Sequence, residues 1–282
     1  MSLTEGLAEG PLVDAAWLRD HRNDVRIVDV RWYLDGRSGY DAYLSGHIPG
    51  AVWADVDREL SAPAAAIAGR HPLPAPADFA AAMGRLGIAD GDVVVAYDDA
   101  GGSIAARLWW MLDSLGEQAY VLDGGISTWI GALDRDGPVL PEEAVFSPRE
   151  WPAGRYVHAD EIENVREGAA LLDARSFGRF TGDEPSVDAV PGHIPGARSA
   201  PWAENLDPET GRLLPADVLQ RRFKALGVEA GQRAIAMCGS GVTACHDLLA
   251  LRIAGFDESA LYAGSWSGWS SESGRPVALG SE

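Results

Sequence analysis

Cysteine and positive charge are both scarce in this 282-residue chain, which has two cysteines and 23 Lys plus Arg against 42 Asp plus Glu. The formal net charge of −19 would repel a nucleic-acid backbone or an anionic membrane surface, so neither is an expected partner. Two cysteines, Cys238 and Cys245, make neither a disulfide framework nor a zinc set, and they fit a reducing compartment. Long apolar runs are missing too, and none approaches the length that spans a bilayer. The opening Met1-Ser2-Leu3-Thr4-Glu5-Gly6 has no basic region leading into an apolar one. Together these absences predict a soluble cytoplasmic protein. The length and the 46% hydrophobic content suffice for two cores of ordinary size.

What is present is a repeat. Gly46-His47-Ile48-Pro49-Gly50-Ala51 recurs as Gly192-His193-Ile194-Pro195-Gly196-Ala197, and Ile27-Val28-Asp29-Val30-Arg31 recurs as Leu171-Leu172-Asp173-Ala174-Arg175. The segment 122–129, with its Gly124-Gly125 and Trp129, is echoed by 262–269, with Gly264-Ser265 and Trp269. A proline-rich, acidic connector lies between the copies, giving a first domain at 1–137, a linker at 138–153 and a second domain at 154–282. Short apolar runs at 25–30, 93–97, 119–122, 170–174, 233–237 and 260–262 read as strands. Helical patterns cover 77–86, 103–114, 216–226 and 243–254. This alternation predicts an α/β fold in which each half is a mostly parallel sheet with helices on both faces.

One stretch differs between the copies in its chemistry. Cys238-Gly239-Ser240-Gly241-Val242-Thr243-Ala244-Cys245 sits between the run Ala234-Ile235-Ala236-Met237 and a helical segment, so it reads as strand, tight loop and helix. Glycines let loop amides turn inward, and the following helix adds unpaired N–H groups and the positive end of its dipole. A thiolate there would be stabilised and nucleophilic, at the carboxyl end of a parallel strand where ligands bind in such sheets. A buried structural cysteine ending a strand is the other reading of the isolated residue. Sliding one copy onto the other places Asp98 at the cysteine's position, so the first half cannot do thiol chemistry. Its loop Ala100-Gly101-Gly102-Ser103 then reads as an empty version of the same cradle. His47 and His193, present in both copies, read as turn and packing residues rather than a metal pair.

The duplicated unit, the Gly-His-Ile-Pro-Gly-Ala motif in both halves and the loop 238–244 resemble the two-domain rhodanese-type sulfurtransferases over nearly the whole chain. The resemblance implies tandem rhodanese-like domains, the second catalytic. Within that family, Gly239-Ser240-Gly241 after the cysteine resembles members that use 3-mercaptopyruvate, whereas Arg and Lys there are typical of members that prefer thiosulfate. Thiosulfate is a dianion well served by cationic side chains. The implied reaction is attack of Cys238 on the sulfur of 3-mercaptopyruvate and departure of pyruvate as its enolate. A persulfide then passes sulfur to cyanide, a small thiol or thioredoxin. The amides of Gly239, Ser240, Gly241, Val242, Thr243 and Ala244 would hold the sulfur anion, and no metal or organic cofactor is implied.

Three further roles come from the resemblance. Ser240 matches the serine of a hydroxyl–imidazole–carboxylate relay whose other members would be His71 and Asp57, with the first domain lining the site. On the residues alone, a solvated His71 and a turn-capping Asp57 remain open. Arg179 matches an arginine that clamps the substrate carboxylate, although an exposed loop arginine would look the same in sequence. Where some members carry a second substrate-binding arginine this chain has Asp188, a departure expected to weaken the carboxylate site.

Rival functions separate on single residues. A cysteine phosphatase needs an arginine six positions after its cysteine, and Ala244 stands there. Thiosulfate remains an alternative donor. A non-catalytic persulfide carrier or sulfide-sensing module is the non-enzyme alternative, and Ser240 with Arg179 favours an enzyme over it.

Overall fold

The repeated apolar runs form two separate five-stranded sheets, one in each of two units. The computed structural model describes residues 10–164, 168–185 and 187–281. The first unit comprises the chain up to Ser61, Pro74–Trp151 and Pro208–Arg212; the second comprises Ala62–Leu73, Pro152–Asp207 and the chain from Leu213. Two short segments therefore belong to the unit opposite their place in the sequence. Most of the connector stays with the first unit, where Ala144 N–H donates to Gly84 O at 2.9 Å and Ser147 N–H to the Asp90 carboxylate at 3.0 Å.

The first unit runs β1 (Leu12–Val13), α1 (Ala15–His21), β2 (Arg26–Asp29), α2 (Gly39–Ser45), β3 (Val52–Trp53), α3 (Pro76–Arg85), β4 (Val94–Tyr97), α4 (Ala105–Ser114) and β5 (Ala119–Leu122). Its sheet has the order β1-β5-β4-β2-β3, with every neighbouring pair parallel. The second unit runs β6 (Tyr156–Val157), α5 (Ala159–Asn164), β7 (Ala169–Asp173), α6 (Phe177–Thr181), β8 (Arg198–Ser199), α7 (Ala216–Ala225), β9 (Arg233–Met237), α8 (Ala244–Ile253), β10 (Ser259–Tyr262) and α9 (Ser265–Ser271). Its order is β6-β10-β9-β7-β8, again parallel throughout. The central strands β4 and β9 are covered on both faces, which is why their sequences are continuous apolar runs rather than alternating ones. The helix α8 is buried at every residue from Ala244 to Leu251, so that stretch has no solvent-facing side, and its His246 and Asp247 are buried as well.

The two repeated motifs are tied to each other. In the first unit Arg31 makes a paired contact with Asp29, Nη2 to Oδ2 at 2.6 Å, and the same Nη2 donates to Gly46 O at 2.8 Å. Arg175, Asp173 and Gly192 O reproduce both distances in the second unit. A buried guanidinium thus joins the strand end to the turn before the histidine, and the carboxylate beside it keeps the charge paired. Both histidines are packing groups. His47 stacks on Tyr43 at 4.1 Å between ring centres, and His193 stacks on Phe180 at 3.7 Å.

Candidate active site

Cys238 follows the last residue of β9 and is buried, with 2% of its surface exposed. The amide of Gly241 donates to its Sγ at 3.1 Å. Gly241 has φ +83°, and a Cβ there would lie 2.7 Å from Ala263 O, so a larger residue would move the one amide seen on the sulfur. The start of α9 anchors the loop from the other side. Ser265 Oγ accepts from Cys238 N–H at 3.1 Å and donates to Tyr262 O at 2.9 Å, while Trp266 N–H donates to Cys238 O at 3.0 Å and Ser267 N–H to Gly239 O at 2.9 Å. Ser265 holds this position at φ +50°, the one non-glycine residue with positive φ among those described, and a strained one. In the repeat it stands opposite Gly125, which has φ +64°.

The equivalent loop of the first unit is occupied, contrary to the expectation that it is empty. Asp98 is fully buried, and its Oδ1 accepts from the amides of Ala100 and Gly102, both at 2.8 Å. Its Oδ2 accepts from Ile104 at 2.7 Å and Ala105 at 2.9 Å. Burial pushes the Asp98 carboxyl upward, and these four amides act against that. By loop position they correspond to Ser240, Val242, Ala244 and Cys245. The loops differ in backbone: Gly102 has φ +89°, whereas Val242 at the equivalent place is not in the left-handed region, and the amide on Cys238 Sγ comes from Gly241, the counterpart of Gly101.

The segment Ala62–Leu73 brings two side chains to the second unit's loop. Ser271 Oγ donates to Ala66 O at 2.7 Å, and a Cβ on Gly69 would lie 2.5 Å from Gly264 O, so this backbone rests directly on α9. Arg70 N–H donates to Ser267 Oγ at 3.0 Å. His71 is buried, and its Nδ1 lies 2.7 Å from Ser240 Oγ. Arg179, placed on α6 behind the Ser176 cap, arrives from the other side. A Cβ on Gly239 would lie 2.9 Å from Nη2 of Arg70 and 2.9 Å from Nη2 of Arg179, so two guanidinium groups rest against the residue next to Cys238. Burial, then the neighbouring Arg175, lowers the Arg179 pKa, with Cys238 and Asp188 opposing. Asp188 ion-pairs with both arginines, through Oδ1 to Arg70 Nη1 and through Oδ2 to Arg179 Nη2 at 3.6 Å. The departure at position 188 thus comes with a second arginine that the sequence reading did not find.

Residues 14–132 and 158–272 match the rhodanese-like domain. This chain belongs to the rhodanese-like family. A Pseudomonas aeruginosa protein named "Probable 3-mercaptopyruvate sulfurtransferase" is 42% identical over 91% of this chain and 93% of its own length. The 3-mercaptopyruvate sulfurtransferase of Escherichia coli K12 is 37% identical over 94% and 96%. The crystal structure of SseA from Escherichia coli, a 3-mercaptopyruvate sulfotransferase with the "Rhodanese" fold, superposes with a TM-score of 0.80 at 34% identity, covering 92% of this chain and 99% of that one.

Within this rhodanese-like chain the remaining expected site residues fall as follows. Val242 and Ala244 are buried and Thr243 is half-buried, where the loop runs into α8. Asp57 lies in the first unit, where Trp32 Nε1 donates to its Oδ2 at 3.0 Å. Cys245 is buried, and its thiol donates to Gly241 O at 3.4 Å, so it packs the helix onto the loop. Beneath the site, Asn205 Nδ2 donates to Asp247 Oδ1 at 2.7 Å and lies 3.2 Å from His246 Nδ1, all three side chains being fully buried. Burial pushes Asp247 up to about 7. Asp247 and His246 read in sequence as ordinary positions of a helix, and a charged residue in a run that is otherwise apolar was the signal available. Among the described residues no cluster of His, Cys, Asp and Glu is arranged for a metal, and no helix is long and apolar enough to cross a membrane.

Proposed function

We propose that this chain is a sulfurtransferase that takes sulfur from 3-mercaptopyruvate through a persulfide on Cys238 and passes it to a thiophilic acceptor. The observation that carries the reading is the approach of His71 Nδ1 to Ser240 Oγ at 2.7 Å, two residues beyond the buried cysteine and beside two arginines. Relatives named for this activity, 34–42% identical over most of the chain, support it.

In the proposed reaction, Arg179 and Arg70 bind the donor's carboxylate with planar forks suited to it. The Cys238 thiolate attacks the donor sulfur, an S–S bond forms, and the C–S bond breaks with its electron pair moving into the enolate of pyruvate. That carbon needs a proton. Ser240 delivers it, His71 recharges the serine and regains a proton from the donor's S–H, which leaves the persulfide as an anion, while the resemblance assigns Asp57 the third place in this relay. The persulfide anion left on Cys238 takes the loop amides, as the Asp98 carboxylate does in the first unit. Cyanide, a small thiol or reduced thioredoxin then attacks the outer sulfur, and the Cys238 thiolate is regenerated.

Thiosulfate is the second reading, and Arg70 favours it. The uncharged Gly-Ser-Gly loop argued against a dianion, yet the structure sets two guanidinium groups beside Gly239. The chain is 40% identical to SseB of Mycobacterium tuberculosis, a relative named for thiosulfate. Comparing pyruvate release from 3-mercaptopyruvate with thiocyanate formation from thiosulfate and cyanide separates the two. The expected result is a higher kcat/KM for 3-mercaptopyruvate and no turnover by Cys238→Ala. Pyruvate release that survives Cys238→Ala would remove the persulfide reading.

A further inference from the structure

Arg70 and Arg179 come from different segments yet place their Nη2 atoms against the same glycine, and Asp188 reaches both. The Asp188 side chain is 5% exposed, whereas Arg70 and Arg179 are 29% and 20% exposed. The carboxylate is therefore built into the site rather than held at its rim. Its hold is incomplete. Arg179 Nη2 and Arg70 Nε are buried and make no hydrogen bond, so Asp188 does not use every donor of the two forks.

We propose that Asp188 is the donor-specificity residue of this sulfurtransferase, acting by setting the charge of the arginine pair; the inference rests on the proposed persulfide chemistry at Cys238. Two guanidinium groups and one carboxylate leave a single net positive charge beside the nucleophile. A monocarboxylate donor such as 3-mercaptopyruvate neutralises it. A dianion such as thiosulfate overcompensates, and in this partly dehydrated setting its second charge meets the Asp188 carboxylate with little screening. The bare pair, with two positive charges, would suit thiosulfate. The arginines make the site anionophilic, and Asp188 grades it toward the singly charged donor by repulsion, a form of discrimination against the competitor rather than added attraction.

The test compares wild type, Asp188→Asn and Asp188→Glu at fixed ionic strength, with 3-mercaptopyruvate and with thiosulfate as donors. Asp188→Asn keeps the shape and removes the charge. It should raise the ratio of kcat/KM for thiosulfate to that for 3-mercaptopyruvate by about tenfold, chiefly through a lower KM for thiosulfate. Sulfate, an unreactive dianion, should inhibit this variant more tightly than wild type by a similar factor. Asp188→Glu, which keeps the charge, should leave the donor ratio within about twofold of wild type. An unchanged ratio in Asp188→Asn overturns the inference. So does a parallel fall for both donors, which would make Asp188 a residue that only positions the arginines. If the wild type releases no pyruvate from 3-mercaptopyruvate, the functional reading fails instead, a result separate from any shift in the ratio.

Discussion

Asp98 and Cys238 occupy the same position in the two units. In the parallel ladders Asp29 pairs with Tyr97 and Asp173 with Met237, so each residue is the first beyond the equivalent central strand. The carbonyl of each accepts from the start of the next helical turn, Ile126 N–H to Asp98 O at 2.8 Å and Trp266 N–H to Cys238 O at 3.0 Å. In the first unit four loop amides hold the Asp98 carboxylate, and in the second the Gly241 amide donates to Cys238 Sγ. Removing the carboxylate leaves four amides unpaired, three of them buried, so Asp98→Ala should destabilise the protein by about 3 kcal/mol or more. Urea unfolding followed by tryptophan fluorescence measures this, and a loss below about 1 kcal/mol would show that the amides find other partners.

Arg179→Ala should raise KM for 3-mercaptopyruvate by about tenfold or more with a smaller change in kcat, because the carboxylate is bound in the ground state and the transition state alike. Arg70→Ala should act in the same direction. Lysine should rescue neither fully, since a point charge cannot reproduce the planar fork. Steady-state kinetics on the single and double variants would check this, and an unchanged KM in Arg70→Ala would remove that residue from the donor site.

The extent to which the sequence disclosed this architecture follows the physics of each feature. Strands such as β4 and β9 are legible because burial on both faces demands unbroken apolar runs, and the duplicated Asp-x-Arg and Gly-His motifs because one buried ion pair links them. The strand, glycine loop and helix around Cys238 were legible because that pattern is local in sequence. Arg70 was not, although it adjoins His71, because its value depends on a segment that leaves its own half to rest on α9. Ser265 was hidden for a related reason: its use is a hydroxyl aimed at a backbone N–H 27 positions earlier. The 118 positions between Arg70 and Asp188 concealed that half of the pairing.

Asp247 predicts a pH dependence of stability. Its carboxyl is pushed up to about 7 by burial, against 3.8 for the reference group, with Arg222 opposing the shift. Between about pH 4 and 7 the folded protein keeps a proton that the unfolded chain releases, so this residue makes stability fall as pH rises, by at most about 1.4 kcal/mol per pH unit. Below that window both states hold the proton; above it the full cost of the buried charge is present. Asp247→Asn keeps the contact with Asn205 without a charge. Its stability relative to wild type should increase from pH 4 to 7 and then level off, and denaturant midpoints across that range would detect a flat difference if Asp247 titrates normally.

Ser240 offers the sharpest separation of the two donors, because they differ in what leaves. Transfer from 3-mercaptopyruvate expels an enolate whose carbon must be protonated, whereas transfer from thiosulfate expels sulfite, which departs without any such step. In the proposed relay the hydroxyl 2.7 Å from His71 is needed for the first reaction and dispensable for the proton balance of the second. Ser240→Ala should lower kcat with 3-mercaptopyruvate by about a hundredfold, within the usual range for general acid catalysis, and lower thiosulfate turnover far less. His71→Gln should reproduce the pattern. Equal losses with both donors would mean that Ser240 shapes the cradle around the sulfur instead of supplying a proton, and the relay would then have to be abandoned while the nucleophilic role of Cys238 stood.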